Sequence, residues 1–224
     1  MKADATPASA RVKPRWRGVS HRWAFLGALL PCGLLVHAAP SGRATIASAL
    51  YAASVVGLFG TSALYHGVHW SPRARFWVAR LDLLMIFVLI AGTYTPIVML
   101  EVAEPLSSLA LVAVWGTVLF GGILKTIWSE PPKWASAALF VGVGSVAVLF
   151  LPDVLAALGV AATLWMLAGG VLYMLGAIVY GLQRPDPIPA VFGYHEIFHA
   201  FVIAGAAVHF ATIALYVIPG SARV

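Results

Sequence analysis

Charge is scarce in this sequence. Only 10% of its 224 residues are Asp, Glu, Lys or Arg, while 61% are hydrophobic. A soluble domain carries about a quarter charged residues and nearer half apolar ones. A chain of this length can bury one core, but that core cannot hide so much apolar surface from water, so the solvent must be lipid. Cysteine is nearly absent: Cys32 stands alone inside an apolar run. That excludes a disulfide framework and leaves the redox compartment unreadable. There is no internal repeat, no low-complexity segment and no gap long enough for a second domain. The net charge of +6 does not point to nucleic acid. The basic residues fall in short gaps between apolar runs, which is the pattern of membrane topology and not of a phosphate-binding face.

The apolar runs dictate an all-α, seven-transmembrane-helix bundle. A stretch of about 18 or more mostly apolar residues is long enough to span a bilayer. Seven such spans are expected, at 22–40, 44–66, 76–99, 106–128, 134–151, 154–181 and 191–218, within a membrane domain over 21–218. The fifth is short, and the sixth is long enough to tilt or start late. Helix breakers sit between them: Pro40-Ser41-Gly42, Ser71-Pro72, Pro105, Pro131-Pro132, Pro152, and Pro185, Pro187 and Pro189. Residues 1–20 are polar, basic and rich in Pro and Ala, the composition of a disordered tail.

Lys and Arg divide unevenly between the two sides. Lys2, Arg11, Lys13, Arg15, Arg17, Arg22, Arg73, Arg75, Arg80, Lys125, Lys133 and Arg184 fall on one side; only Arg43 and Arg223 fall on the other. Short cytoplasmic loops hold the excess of positive charge, so the N-terminus is expected in the cytoplasm and the C-terminus outside. Trp23, Trp70, Trp77, Trp128 and Trp134 flank the inner loops as an aromatic belt. Residues 11–39 also have the outline of a secretory signal, with Val36-His37-Ala38 as a cleavage site, but the apolar run is long for one.

Ionisable residues inside membrane spans are expensive and mark function. Here they are His66 in the last turn of the second span, Asp82 early in the third, and His195, Glu196 and His199 opening the seventh. The alternating topology brings the cytoplasmic ends of these three helices to one depth. His195 and His199 are four apart and share a helical face, as do Ser62 and His66. Three neutral imidazoles with one position left open are a catalytic zinc arrangement, and Asp82 is placed to orient a water or a histidine. Ser62 is either a small packing residue or a hydroxyl donor at the centre. His195-Glu196-Ile197-Phe198-His199 also matches H-E-x-x-H, in which Glu196 would be the base of an intramembrane metalloprotease. Alternatively, Glu196 is a helix N-terminal charge turned away from the metal. His209 lies fourteen residues beyond His195, about 21 Å along the helix, too far to share a metal. His37, near an outer helix end, reads as a helix-packing histidine, and His21 and His69 as interfacial ones.

These residues carry a resemblance. Ser62-Ala63-Leu64-Tyr65-His66, Leu81-Asp82 followed by Ala91-Gly92-Thr93-Tyr94-Thr95-Pro96, Gly193-Tyr194-His195-Glu196-Ile197-Phe198-His199 and Ala204-Gly205-Ala206-Ala207-Val208-His209-Phe210 occur in this order. Together they resemble the hemolysin III family, the bacterial branch of the progestin and adipoQ receptor superfamily, across residues 15–218. The resemblance implies seven spans with the N-terminus inside, a multi-pass protein of the bacterial inner (plasma) membrane, and Zn2+ held by His66, His195 and His199. It also implies a relationship to alkaline ceramidases, and so a Ser62/Asp82/three-histidine core suited to hydrolysing lipid amides or esters. Membrane lipids are the expected partners and lipid homeostasis the expected role. The hemolysin label implies instead a pore-forming, cytolytic or receptor-like protein with a structural zinc. One position departs from the pattern: Leu83 follows Asp82 where a polar residue or histidine is expected.

Overall fold

The structure, a computed structural model, describes residues 14–128 and 131–221. Among the described residues the fold is all helical with no strand; one isolated bridge pairs Ile188 with Phe192. The helices are α1 (Val19–His37), α2 (Gly42–Gly67), α3 (Pro72–Glu101), α4 (Leu106–Ile127), α5 (Lys133–Ser145), α6 (Leu151–Leu182) and α7 (Tyr194–Thr212). A 3₁₀ stretch over Val146–Phe150 precedes α6, and a π turn over Ile213–Val217 leads from α7 into a last helical turn. Six helical stretches are long and apolar enough to cross a membrane, with Lys133–Leu182 taken as one. The chain is a multi-pass membrane protein. Its outward side chains agree: Leu30, Val112, Leu119, Ile127 and Leu149 are all more than 70% exposed, which only a lipid environment tolerates in such number.

Local chemistry sets the helix starts. Ser41 caps α2 by accepting the Ala44 N–H at 3.2 Å. Ser71 does the same for α3 from Ala74 at 3.3 Å, with Pro72 in the first turn, where its missing N–H is harmless. Lys133–Leu182 cannot be one straight span. Fifty helical residues would reach about 75 Å against a hydrocarbon core of about 30 Å. It folds back on itself. Gly181, at the end of α6, packs on Trp134 and Ala137 at the start of α5, where a Cβ would lie 3.3 Å from the Ala137 Cβ. The reversal uses the 3₁₀ stretch and Gly159, whose φ of 79° and ψ of 179° break the helix in a conformation open to glycine.

Small residues bring the helices together. A Cβ on Gly92 of α3 would lie 2.1 Å from Ser54 Oγ of α2, so these helices approach at van der Waals distance. Gly92 thus acts as a packing position within an unbroken α3. Tyr94 Oη donates to Gly144 O at 2.8 Å, tying α3 to the end of α5, and Trp115 Nε1 donates to Thr95 Oγ1 at 3.1 Å, tying α4 to α3. Tyr51, Phe87, Val98 and Ile213 fill the core.

The expected spans and the observed helices differ at their ends by up to four residues, apart from the fifth span, whose α-helix stops six residues early in the 3₁₀ stretch, and the seventh, whose α-helix gives way to the π turn. Of the expected disordered tail over 1–20, residues 1–13 lie outside the described residues, with the Lys2, Arg11 and Lys13 counted there. Arg223 and the side chain of Lys125 also lie outside them. From Pro14 the chain is held against the α6–α7 loop: the N–H groups of Arg15 and Trp16 donate to Ala190 O and Val191 O, both at 3.1 Å.

Candidate metal centre

Three helix ends supply the centre. His66 sits in the last turn of α2, and His195 and His199 in the first turns of α7, on one face because they are four residues apart. The structure brings all three together: one nitrogen from each lies within 4.8 Å of the other two. His66 Nε2 and His195 Nε2 are 3.2 Å apart. The ring centroids of His195 and His199 are 4.4 Å apart, and those of His66 and His199 5.3 Å. Imidazole is a metal-ligating group, and such a cluster can hold a metal ion.

The expected carboxylate and hydroxyl are beside it. Asp82 Oδ2 lies 3.8 Å from His66 Nε2, and Ser62, one turn before His66 on α2, lines the same cavity as Asp82. Arg80 does not pair with Asp82. Its guanidinium lies 3.3 Å over the Phe76 ring and donates to Phe76 O at 3.1 Å. Leu83, where the family resemblance expects a polar group, lines the wall of the adjoining cavity. His209 lies apart from the three, bonded to Met166 O at 3.1 Å. His37 and His69 are exposed.

His21 is different from its sequence reading. Rather than interfacial, it is 3% exposed, and its ring stacks on that of His199 with centroids 3.7 Å apart and planes 7° from parallel. Neither of its ring nitrogens has a hydrogen-bond partner among the described residues. The turn before it completes a bracket around the centre. Gly18 packs so closely on His66 that a Cβ would lie 2.5 Å from the His66 Cβ, and its φ of 82° suits glycine. Arg17 Nε donates to Glu196 Oε1 at 2.5 Å, while Glu196 Oε2 accepts the Gly193 N–H at 2.8 Å. Glu196 is therefore a buried cap and ion-pair partner at the start of α7. Lys133 of α5 bonds the Tyr194 hydroxyl, and Asp186 Oδ1 accepts the Tyr194 N–H at 3.1 Å. The starts of α1, α3, α5 and α7 thus meet the ends of α2 and α6 at one level.

A cavity of about 1210 Å³ opens from this centre. Arg17, Lys133 and Asp186 line its polar end, and Leu89, Ile97, Phe150 and Met166 its long apolar part, which continues to His209. The volume is above that of an ordinary small-molecule pocket, and the walls suit a chain-like apolar guest.

Comparison with known proteins agrees with this arrangement. The family described as "Haemolysin-III related" matches residues 9–210. "Hemolysin-3" of Bacillus cereus is 31% identical over 188 residues, covering 83% of each chain. "Hemolysin-3 homolog" of Bacillus subtilis (strain 168) is 28% identical over 185 residues, 82% of this chain and 84% of the relative. The human "Monocyte to macrophage differentiation factor" is 24% identical over 219 residues, 94% of this chain and 89% of the relative. With its histidine-bearing helix ends all inside the matched stretch, the chain belongs to the haemolysin-III related family.

Proposed function

We propose that this protein is a zinc-dependent hydrolase of lipid amides or esters that acts in membrane lipid homeostasis, with His66, His195 and His199 holding the metal. The observation that carries the proposal is a three-imidazole cluster, flanked by the Asp82 carboxylate, at the head of a long apolar cavity. The donor set fits zinc. In a tetrahedral site with bonds of about 2.0–2.1 Å, two nitrogens stand roughly 3.4 Å apart, and the His66–His195 pair is at 3.2 Å. Three protein ligands leave the fourth position for chemistry. When bound, zinc supplies a Lewis acid and lowers the pKa of water to about 7.

The chain's own groups do the rest. Asp82 takes the proton from the attacking water and returns it to the leaving amine or alcohol, as a general base and then a general acid. Ser62, in the cavity wall with Asp82, offers a hydroxyl toward the acyl oxygen. The apolar wall takes the acyl chain and keeps bulk water from the reacting carbon. Glu196 is engaged by Arg17 and Gly193, which argues against its acting as the base of an H-E-x-x-H protease.

We also infer seven spans with the N-terminus in the cytoplasm, in a bacterial inner membrane. Support comes from the fold-back of Lys133–Leu182. Lys133 bonds Tyr194, while Tyr180 near the other end of that segment lies with its ring centroid 6.1 Å from His195. Both ends of the segment therefore lie near one face, which favours two crossings. Arg17, Arg75 and Lys133 share that face, consistent with a cytoplasmic side.

The test is product formation from ceramide-like and phospholipid substrates in liposomes, with metal measured on the same samples. Asp82→Ala should keep the metal and lose about 10²–10⁴ in rate. A wild type that turns over nothing across the panel while retaining zinc would favour the receptor or pore reading with a structural metal. Loss of metal in Asp82→Ala would make that carboxylate a ligand.

A further inference from the structure

Glycine has two different uses inside this bundle. Gly169 of α6 and Gly205 of α7 are packing seats. A Cβ on Gly169 would lie 2.3 Å from His209 Cδ2, and one on Gly205 would lie 3.0 Å from the Tyr173 ring, so each admits a ring from the facing helix. Gly144 of α5 and Gly170 of α6 are of another kind. Both line the large cavity, yet a Cβ built on either would meet nothing within 4 Å. Their neighbours show which way they face. Leu167 and Met174 stand three before and four after Gly170, and Phe140 and Val141 stand four and three before Gly144. These are the spacings of one helical face, and all four side chains line the same cavity. The cavity wall thus has two notches where a side chain is missing.

Glycine weakens a helix relative to alanine, so its presence calls for a reason. Backbone conformation is not the reason here: among the described residues the glycines with positive φ are Gly18 and Gly159. Close packing is not the reason either, since no neighbour needs the room. What remains is the space itself. Both notches lie at one depth. Gly170 is ten residues before Tyr180, whose ring centroid is 6.1 Å from that of His195, and Gly144 is eleven residues after Lys133, which bonds Tyr194. At 1.5 Å per residue they stand about 15 and 17 Å from the histidine end of the cavity, close to half of a hydrocarbon core of about 30 Å. An acyl chain with its head at the histidines has crossed one leaflet when it reaches them.

We propose that Gly144 and Gly170 are specificity-determining positions, which keep the cavity open at mid-depth and so admit acyl chains that reach the middle of the bilayer. A side chain at either position would restrict the guest to shorter chains. The inference rests on the cavity being the acyl site of the proposed function, and it assigns the guest a length class, that of ordinary membrane-lipid chains. A chain that ends short of the notches is indifferent to them. Each buried methylene is worth a factor of about four in affinity, so losing room for two of them costs a long chain about fifteenfold.

The experiment is direct binding of radiolabelled decanoate and stearate to the full-length protein in nanodiscs, with empty nanodiscs subtracted. The wild type should bind stearate the more tightly. Gly144→Leu and Gly170→Leu should each weaken stearate at least about tenfold and leave decanoate within about twofold. Gly116→Leu, on α4 outside the cavity and also with open space at its Cβ, should change neither. Gly170→Val adds fewer carbons and should lower the stearate-to-decanoate ratio several-fold; it decides the matter if leucine disturbs the fold. An unchanged ratio in the folded variants overturns the proposal. A loss that falls equally on decanoate overturns it too, as does a wild type that binds neither probe. Binding requires no turnover, so a shift in chain length without any hydrolysis would refute the catalytic reading and leave the two glycines in their role.

Discussion

Arg17→Met isolates the bracket that holds α1 against α7. Arg17 Nε and Glu196 Oε1 are 2.5 Å apart, with the two side chains 20% and 2% exposed. Removing the cation leaves Glu196 buried, with the Gly193 N–H as its remaining hydrogen-bond partner. Breaking one side of a buried pair costs about 3–5 kcal/mol, because the surviving charge stays desolvated. Arg17 retains some contact with solvent, which places the loss near the lower end, about 3 kcal/mol. For a chain of this size that is roughly 6–12 °C in thermal midpoint. Adding Glu196→Gln removes the orphaned charge while an amide oxygen still accepts from Gly193. The double variant should therefore recover most of the stability, to within about 1 kcal/mol of the wild type. The assay is a double-mutant cycle of thermal unfolding in detergent, with metal content measured alongside. An Arg17→Met midpoint within a degree of the wild type, or a double variant no better than the single one, would refute the reasoning. The cycle also bears on the protease alternative: Glu196→Gln should leave any lipid hydrolysis within a few-fold, whereas a general base would cost about 10²–10⁴.

Three further outcomes follow from the same geometry. Gly18→Ala places a Cβ 2.5 Å from the His66 Cβ at a φ of 82°, and should destabilise by at least about 2 kcal/mol in the same unfolding assay. His21→Ala removes the ring stacked on His199 and should weaken zinc binding about tenfold in chelator competition, the usual effect of losing a group that orients a ligand. His21→Phe restores a flat ring and should recover most of it; a Phe variant as weak as Ala would mean that a nitrogen of His21, not the stack, is what counts. A reporter fused at the C-terminus should read the periplasmic or extracellular side and one at the N-terminus the cytoplasm; both termini on one side would mean an even number of spans.

Much of the fold was legible because lipid leaves few choices. A backbone crossing hydrocarbon must satisfy its own hydrogen bonds, so a long apolar run is a helix almost by necessity. The histidine cluster was legible for a similar reason. Buried ionisable groups are rare in membranes, and alternating topology sets which helix ends share a depth. The break at Gly159 was less visible, since a glycine inside an apolar run looks like any small packing residue until its φ of 79° is known. The bracket of Arg17, Gly18 and His21 was missed because its partners are distant in sequence. Nothing local to His21 says that it stacks on His199, and a basic residue ahead of a span ordinarily reads as a topology signal. Glu196 matched a protease motif letter for letter, and its ion-pair partner is an arginine 179 positions away. The same holds for His209 and Tyr173, whose seats are glycines on the facing helix.

The central claim is a metal held by three imidazoles at the meeting of α2 and α7. It is tested most directly by metal analysis with X-ray absorption on protein purified without chelator, for the wild type and for His195→Ala/His199→Ala. The wild type should carry about one zinc per chain with nitrogen ligands near 2.0–2.1 Å, and the double variant none. Zinc retained in full by the double variant, or a wild type that neither carries nor takes up a stoichiometric metal, would contradict the assignment.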